Sequence, residues 1–329
     1  MNLLLAGALD AAERAAWAAA LRQALPGHHL HLARGAVPDA QIAAAIVANP
    51  PPGSLAGLPG LRLIQSLWAG VDRLLADPTL PPAVPVARMV DPAMTAAMAQ
   101  TALWATLALH RGFFTYAALQ RAGRWQQLPQ RRADEVAVLV LGFGQMGQAV
   151  AQRLAQQGYR VTAWRRAAPT PGAPAGSAAA VPHPLPADTT GITVASGPAA
   201  LPGLLAQAQV LINLLPLTPD TRGLIDAALL AALPHGAALV NLARGAHLVD
   251  DALLAALHSG QVGHAVLDVF ADEPLPAGHR YWQHPHVTVL PHAAALTDER
   301  SAAAVVAHNI DALAAGLPLQ HLVQRTLGY

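Results

Sequence analysis

Val136–Gly147 reads VAVLVLGFGQMG, an unbroken apolar run that stops at Gly142-Phe143-Gly144-Gln145-Met146-Gly147. A short apolar run bounded by glycine predicts a strand buried on both faces, as in a parallel sheet. The amphipathic stretch Gln148 to Gln157 behind it predicts a helix. In such a strand–turn–helix unit Gly142 makes the tight turn. Gly144 lets the backbone approach a pyrophosphate, and Gly147 lets helix and strand pack closely. A glycine-rich turn alone has purely structural uses. The flanking strand and helix make this one a dinucleotide site.

Working outward, Asn2 to Gly7 predicts a first strand rather than a signal peptide, because the apolar stretch is short and has no basic lead. Asp10 to Ala24 predicts a helix, with Asp10 and Glu13 at capping-box spacing. Ala43–Val47 and Leu61–Leu67 read as buried strands, and Pro92 to His110 as one long helix. After Val136, strands are expected at Arg160–Trp164, Val210–Leu215, Ala238–Leu242, Gly263–Val269 and Val287–Leu290, with helices between most of them. A last helix near Asp298 to Ala315 folds back on the first unit. Alternating strands and helices predict an α/β fold with parallel sheets. Two domains are expected. Residues 1–99 and 288–329 form a smaller, flavodoxin-like substrate domain. Residues 100–287 form a Rossmann-type, doubly wound cofactor domain. Arg111 to Asp134, rich in Arg, Gln, Trp and Pro, predicts an exposed arm. Ala167 to Pro186 is dense in Pro, Ala and Gly and predicts a surface insertion.

Composition excludes several classes of function. The 329 residues are 53% hydrophobic and 12% charged, with a net charge of +1. No basic run exceeds two adjacent arginines, so nucleic acid is not an expected partner. No apolar run is long enough for a spanning helix, so no membrane partner is expected. Cysteine is absent. That removes disulfides, a thiol nucleophile and cysteine-ligated metal, and no metal site is expected. These features predict a cytoplasmic protein.

The chemistry-bearing residues follow the strands of the second series. Ligands of open α/β sheets bind outside the carboxyl ends of the strands. Pro216-Leu217-Thr218-Pro219-Asp220-Thr221 follows one strand and Ala243-Arg244-Gly245 another. Asp268 and Glu273 close a third, and Pro291-His292 a fourth. Each has a bland alternative: a cap for Arg244 or Asp268, a loop residue for Glu273, and one ordinary histidine among 15 for His292. Four independent accidents at one sheet edge are a poor account of the set.

Six segments together resemble the D-isomer-specific 2-hydroxyacid dehydrogenases, and among them the glyoxylate/hydroxypyruvate reductase A group. They are LWAGVD (Leu67–Asp72), GFGQMG (Gly142–Gly147), VLINLLPLTPDT (Val210–Thr221), LVNLARGAHLVDDALLAAL (Leu239–Leu257), LDVFADEPLP (Leu267–Pro276) and YWQHPHVTVLPHAAALT (Tyr281–Thr297). The terminal Gly328-Tyr329 also fits. The resemblance covers nearly the whole chain. It implies reduction of glyoxylate, hydroxypyruvate or a similar small 2-keto acid by NADPH or NADH. Alternatives are a larger D-2-hydroxy acid as substrate, or a non-catalytic nucleotide sensor on the same fold. By this resemblance His292 is the general acid, Glu273 favours its protonated form, and Arg244 binds the carboxylate and polarises the keto group. Backbone N–H groups of Trp68, Ala69, Gly70 and Val71 also face the carboxylate. Asp268 lies near the nicotinamide. The backbones of Leu242, Ala243 and Arg244 line the nicotinamide side, and those of Leu215 and Pro216 the adenosine side. Thr221 reaches a phosphate or the adjoining turn. Further cofactor contacts are expected at Phe143, Gln145, Met146, His292 and Ala294. The resemblance also implies a homodimer through the 111–134 arm.

The cofactor is argued from Trp164-Arg165-Arg166 at the end of the second strand. An NAD site carries Asp or Glu there for the ribose 2′-OH. Here two arginines suit a 2′-phosphate instead, which predicts NADPH over NADH. Ile46-Val47-Ala48-Asn49-Pro50 is small where relatives carry a bulky aromatic, which implies a roomier substrate pocket. Met94 and Met98 face the active site or the helix core, with core the preferred reading for Met98.

Overall fold

The computed structural model describes residues 1–166 and 191–329. The Pro/Ala-rich stretch expected at 167–186 lies outside the described residues. The chain divides into two compact units, Met1–Met94 with Thr297–Tyr329, and Thr95–Leu296.

The first unit opens with β1 (Asn2–Gly7) and α1 (Ala11–Ala24). Asp10 Oδ1 accepts from Glu13 N at 2.8 Å and Glu13 Oε2 accepts from Asp10 N at 2.9 Å, so the expected capping box forms. α1 buries Trp17, Ala18 and Leu21 at helical spacing. Then come β2 (His29–His31), β3 (Ile42–Ala48), β4 (Leu63–Ser66), α2 (Asp72–Leu75), β5 (Val86–Ala87) and α3 (Pro92–His110). The sheet runs β2-β1-β3-β4-β5 and every pair is parallel. This is the flavodoxin-like order. Leu4, Ile42, Val47, Leu61 and Ile64 form part of its core.

The second unit continues through α4 (Phe113–Arg121), β6 (Ala137–Leu141), α5 (Gln145–Ala155), β7 (Arg160–Arg165) and β8 (Ile192–Ser196). It goes on with α6 (Leu201–Leu205), β9 (Val210–Asn213), α7 (Ala227–Ala231), β10 (Ala237–Asn241), α8 (Asp250–His258), β11 (Val262–Leu267) and β12 (Val287–Val289). α9 (Glu299–Ala315) returns to the first unit and packs on α1, where Asp311 Oδ1 pairs with His28 Nε2 at 3.1 Å.

Among the described residues the second sheet runs β12-β11-β10-β9-β6-β7-β8, all parallel. The order reverses between β6 and β9, the switch point of a doubly wound sheet. Alternate residues of β6 serve opposite faces. Val138 and Val140 pack with Val150 and Leu154 of α5, while Leu139 and Leu141 pack with Leu211, Leu239 and Leu253. Burial on both faces is why the strand reads as an unbroken apolar run. Each such leucine contributes about 1.5–3 kcal/mol.

The expected domain boundaries shift. β12 pairs with β11 and 288–296 stay with the second unit, and the break within α3 follows Met94 rather than residue 99. The strand expected over Val210–Leu215 ends at Asn213, because the Asn213 side chain accepts from Leu215 N at 3.2 Å and turns the chain. The 111–134 arm is partly helical. Phe114 of α4 stacks on His264 at 4.4 Å and meets Trp104 edge-on at 5.9 Å. The Tyr116 hydroxyl accepts from Leu128 N at 2.9 Å.

Candidate active site

Gly142 sits at the switch point. Its φ is +99°, and a Cβ there would meet Leu214 O at 2.7 Å. Its N–H donates to Trp164 O at 2.8 Å, which ties the turn to the end of β7. Gly147 lies in the first turn of α5, where a Cβ would meet Gly142 O at 1.9 Å. Gly144 is different: a Cβ there would meet nothing within 4 Å, and as N-cap of α5 it has no side chain to satisfy the first N–H groups. Open space before an uncapped helix N-terminus fits a pyrophosphate. The glycine turn thus fits a dinucleotide on its own geometry. Phe143 and Trp164 put their side chains into the core, as do Leu215 and Leu242, so only their backbones can face a cofactor. Gln145 and Met146 are half-buried in the first turn of α5.

The carboxyl edge of the same sheet carries the titratable residues. His292 Nδ1 lies 2.7 Å from Glu273 Oε2. Glu273 Oε1 also accepts from Phe270 N at 2.9 Å, which fixes the carboxylate. The Glu273 bond raises the His292 pKa above its usual value against the opposing effects of burial and Arg244. Burial would raise Glu273, but the His292 and Phe270 bonds and the two nearby cations hold it below its usual range. Arg244 is half-buried, with Nη1 donating to Ala243 O at 2.7 Å. A Cβ at Gly245 would meet Phe270 C at 1.9 Å, so only glycine lets the Arg244 turn lie against the Glu273 loop.

Asp268 holds the His292 loop. Its O accepts from His292 N at 2.8 Å and its Oδ1 from Ala293 N at 2.7 Å; Oδ2 accepts from Ala294 N at 3.1 Å. Burial pushes the carboxyl up against these N–H bonds, which favour the anion. The Ala294 N–H is therefore engaged with Asp268.

Three buried residues that sequence reasoning missed stand behind this edge. Asn213 Nδ2 donates to Asn241 Oδ1 at 3.0 Å and to His247 Nδ1 at 2.9 Å. Asn241 Nδ2 donates to Arg244 O at 3.0 Å, and His247 Nε2 to Pro216 O at 3.2 Å. This network ties the Arg244 turn to the Pro216 turn. The available signal was an asparagine closing each of two apolar strands. Thr221 resolves to the turn: its hydroxyl donates to Pro216 O at 2.8 Å and accepts from Thr218 N at 2.8 Å.

Arg165 Nε donates to Ser196 Oγ at 3.0 Å, and burial lowers the Arg165 pKa. Arg166 Nη1 pairs with Asp220 Oδ2 at 2.5 Å. β7 carries no acid, yet the fold supplies one from the turn after β9.

In the first unit, Trp68–Val71 follows β4 at the carboxyl edge of that sheet. Ser66 Oγ accepts from Trp68 N at 3.0 Å, and Trp68 O accepts from Met89 N at 3.0 Å. The Trp68 N–H is thus engaged with Ser66. Trp17 meets Trp68 edge-on at 6.3 Å. Ile46, Val47 and Ala48 are buried within β3, and Asn49 has a φ of +45°. Met94 and Met98 are both buried, Met98 in the core around Val138 and Val150. Among the described residues no His, Cys, Asp or Glu cluster could hold a metal ion, and no helix is long and apolar enough to cross a membrane.

Residues 103–294 match the family model for the D-isomer specific 2-hydroxyacid dehydrogenase, NAD binding domain. A glyoxylate/hydroxypyruvate reductase A of Serratia proteamaculans is 38% identical over 318 residues, covering 95% of this chain and 96% of its own length. A D-isomer specific 2-hydroxyacid dehydrogenase from Xanthobacter autotrophicus, solved with NADPH and MES, is 38% identical with a TM-score of 0.89, covering 100% of this chain and 99% of that one. An NADPH-dependent glyoxylate/hydroxypyruvate reductase from Sinorhizobium meliloti, solved with NADP and sulfate, is 33% identical with a TM-score of 0.87 and the same coverage. With a dinucleotide turn at the switch point and a His–Glu pair on the same edge, this chain belongs to the D-isomer specific 2-hydroxyacid dehydrogenase family.

Proposed function

We propose that this protein is an NADPH-dependent reductase of glyoxylate, hydroxypyruvate or a similar small 2-keto acid. The observation that carries the reading is the 2.7 Å His292–Glu273 pair beside Arg244, on the sheet edge that holds the open Gly144 turn. Bound NADPH supplies a hydride to the carbonyl carbon. Glu273 occupies Nδ1 of the imidazole, so His292 presents its other nitrogen, Nε2, and gives that proton to the carbonyl oxygen. C=O thereby becomes CH–OH. Arg244 binds the carboxylate and polarises the carbonyl. Arg165 and Arg166 hold the 2′-phosphate, and the Gly142–Gly147 turn holds the pyrophosphate. Backbone at Leu215, Pro216, Leu242 and Ala243 flanks the cofactor, and Asp268 and Ala294 stand on its nicotinamide side.

The working form is a homodimer through the 111–134 arm, where Trp125 is 98% exposed and Phe113 53% exposed. The enzyme acts in the cytoplasm, where NADPH-linked reduction runs. The test is a keto-acid panel followed at the NADPH absorbance, with His292→Gln beside it. The variant should lose about 10²–10⁴-fold in kcat while binding NADPH normally. Full activity in the variant removes His292 from the mechanism.

A further inference from the structure

We infer that Asp220 sets how strongly this chain distinguishes NADPH from NADH. The inference rests on the reading of Arg165 and Arg166 as the 2′-phosphate site. Asp220 is 54 residues from Arg166 in sequence, yet its Oδ2 lies 2.5 Å from Arg166 Nη1. It is not a loose loop tip. Thr221, the next residue, is bonded through its hydroxyl to Pro216 O and Thr218 N, so the turn that presents Asp220 is internally hydrogen-bonded. The turn follows β9, the neighbour of β6 across the switch point, and β6 runs into the glycine turn. Gly142 N–H is bonded to Trp164 O, directly before the two arginines. Asp220 therefore stands at the carboxyl edge where a 2′-phosphate has to sit.

Two consequences follow from the charges. The 2′-phosphate must share or displace Arg166 from a carboxylate that is 74% exposed, an ion pair that is cheap to open. The carboxylate does not leave when the pair opens. It remains beside Arg166 as a negative charge, repelling an anionic phosphate and having little effect on a neutral 2′-OH. A dinucleotide lacking the phosphate meets neither effect. Asp220 thus restrains the preference for NADPH that the two arginines create. β7 carries no acid; the fold delivers a carboxylate to Arg166 from a different strand end.

The test measures NADPH and NADH affinity by fluorescence titration of the full chain. Asp220→Asn should tighten NADPH by about three- to tenfold at low ionic strength, and leave NADH unchanged within about twofold. The gain should shrink at ~1 M salt, where screening acts over about 3 Å. Asp134→Asn is the charge control. Asp134 forms an exposed ion pair with Arg132 just before β6, at the opposite edge of the sheet. It should change neither affinity. If Arg166→Ala weakens NADPH but Asp220→Asn leaves it unchanged or weaker, the role given to Asp220 is wrong and the phosphate site stands. If the Arg165→Ala/Arg166→Ala double variant keeps full NADPH affinity, the phosphate site itself is wrong, and Asp220 falls with it.

Discussion

His292 concentrates the design at the residue scale. Its φ of +53° is unusual for a side-chain-bearing residue and is of the kind retained where function needs it. Asp268 holds the backbone on both sides of it, and Glu273 holds the ring. The ion pair exists only where Glu273 is ionised and His292 protonated. Glu273 is lowered from 4.5 and His292 raised from 6.5, so the pair is complete throughout the interval between those values. Its contribution to stability is lost as pH falls through the Glu273 pKa or rises through that of His292. Keto-acid reduction needs the protonated ring, so its rate declines as pH rises through the raised His292 pKa. Glu273→Gln should move that basic limb to lower pH in a kcat–pH profile. An unmoved limb means that Glu273 does not set the titration. The residue types were legible in the sequence, and their pairing followed only from the family resemblance; no local pattern shows it, because it depends on how two loops from different strands meet.

At the scale of elements, β6, the glycine turn and α5 form one device with two kinds of glycine. Gly147 is needed by the fold, because a Cβ would strike Gly142 O at 1.9 Å. Gly144 faces open space and is needed only by a ligand. Gly147→Ala should cost about 1–3 kcal/mol in a thermal melt. Gly144→Ala should melt as the parent does, yet bind NADPH more weakly, because its methyl enters the space given to the pyrophosphate. Equal melting of all three proteins contradicts the assignment of Gly147. The strand and helix were readable from their periodicity and the turn from its glycines, although α5 starts at Gln145, three residues before the amphipathic stretch expected from Gln148. The short strands β2 and β5 were not anticipated, and neither was β8: β5 spans two residues and β2 reads His-Leu-His, too little for an alternating pattern. The ends of β9 and β10 were read too long. Apolar residues continue past Asn213 and Asn241, and only the amide side chains, bonding to Leu215 N and Ala243 N, stop the strands.

At the scale of the whole molecule, two parallel sheets organise the chain, and the second carries every proposed catalytic side chain. The arm leaves this second unit with Trp125 almost wholly exposed. An indole in water is a costly exposure unless a partner covers it. Trp125→Ser should lower the mass measured by light scattering from dimer to monomer; a monomeric parent removes the arm from that role. The sequence alone determined the class of fold, the dinucleotide turn and the residue types at the catalytic edge. These depend on apolar periodicity and on glycine's φ, which are properties of neighbours in the chain. Tertiary structure decided the rest: Glu273 on His292, Asp268 on the loop behind it, the Asn213–Asn241–His247 network, and Asp220 against Arg166. Each joins the ends of separate strands, and their proximity follows from sheet order and register, which are set when the strands pack and not by any local pattern.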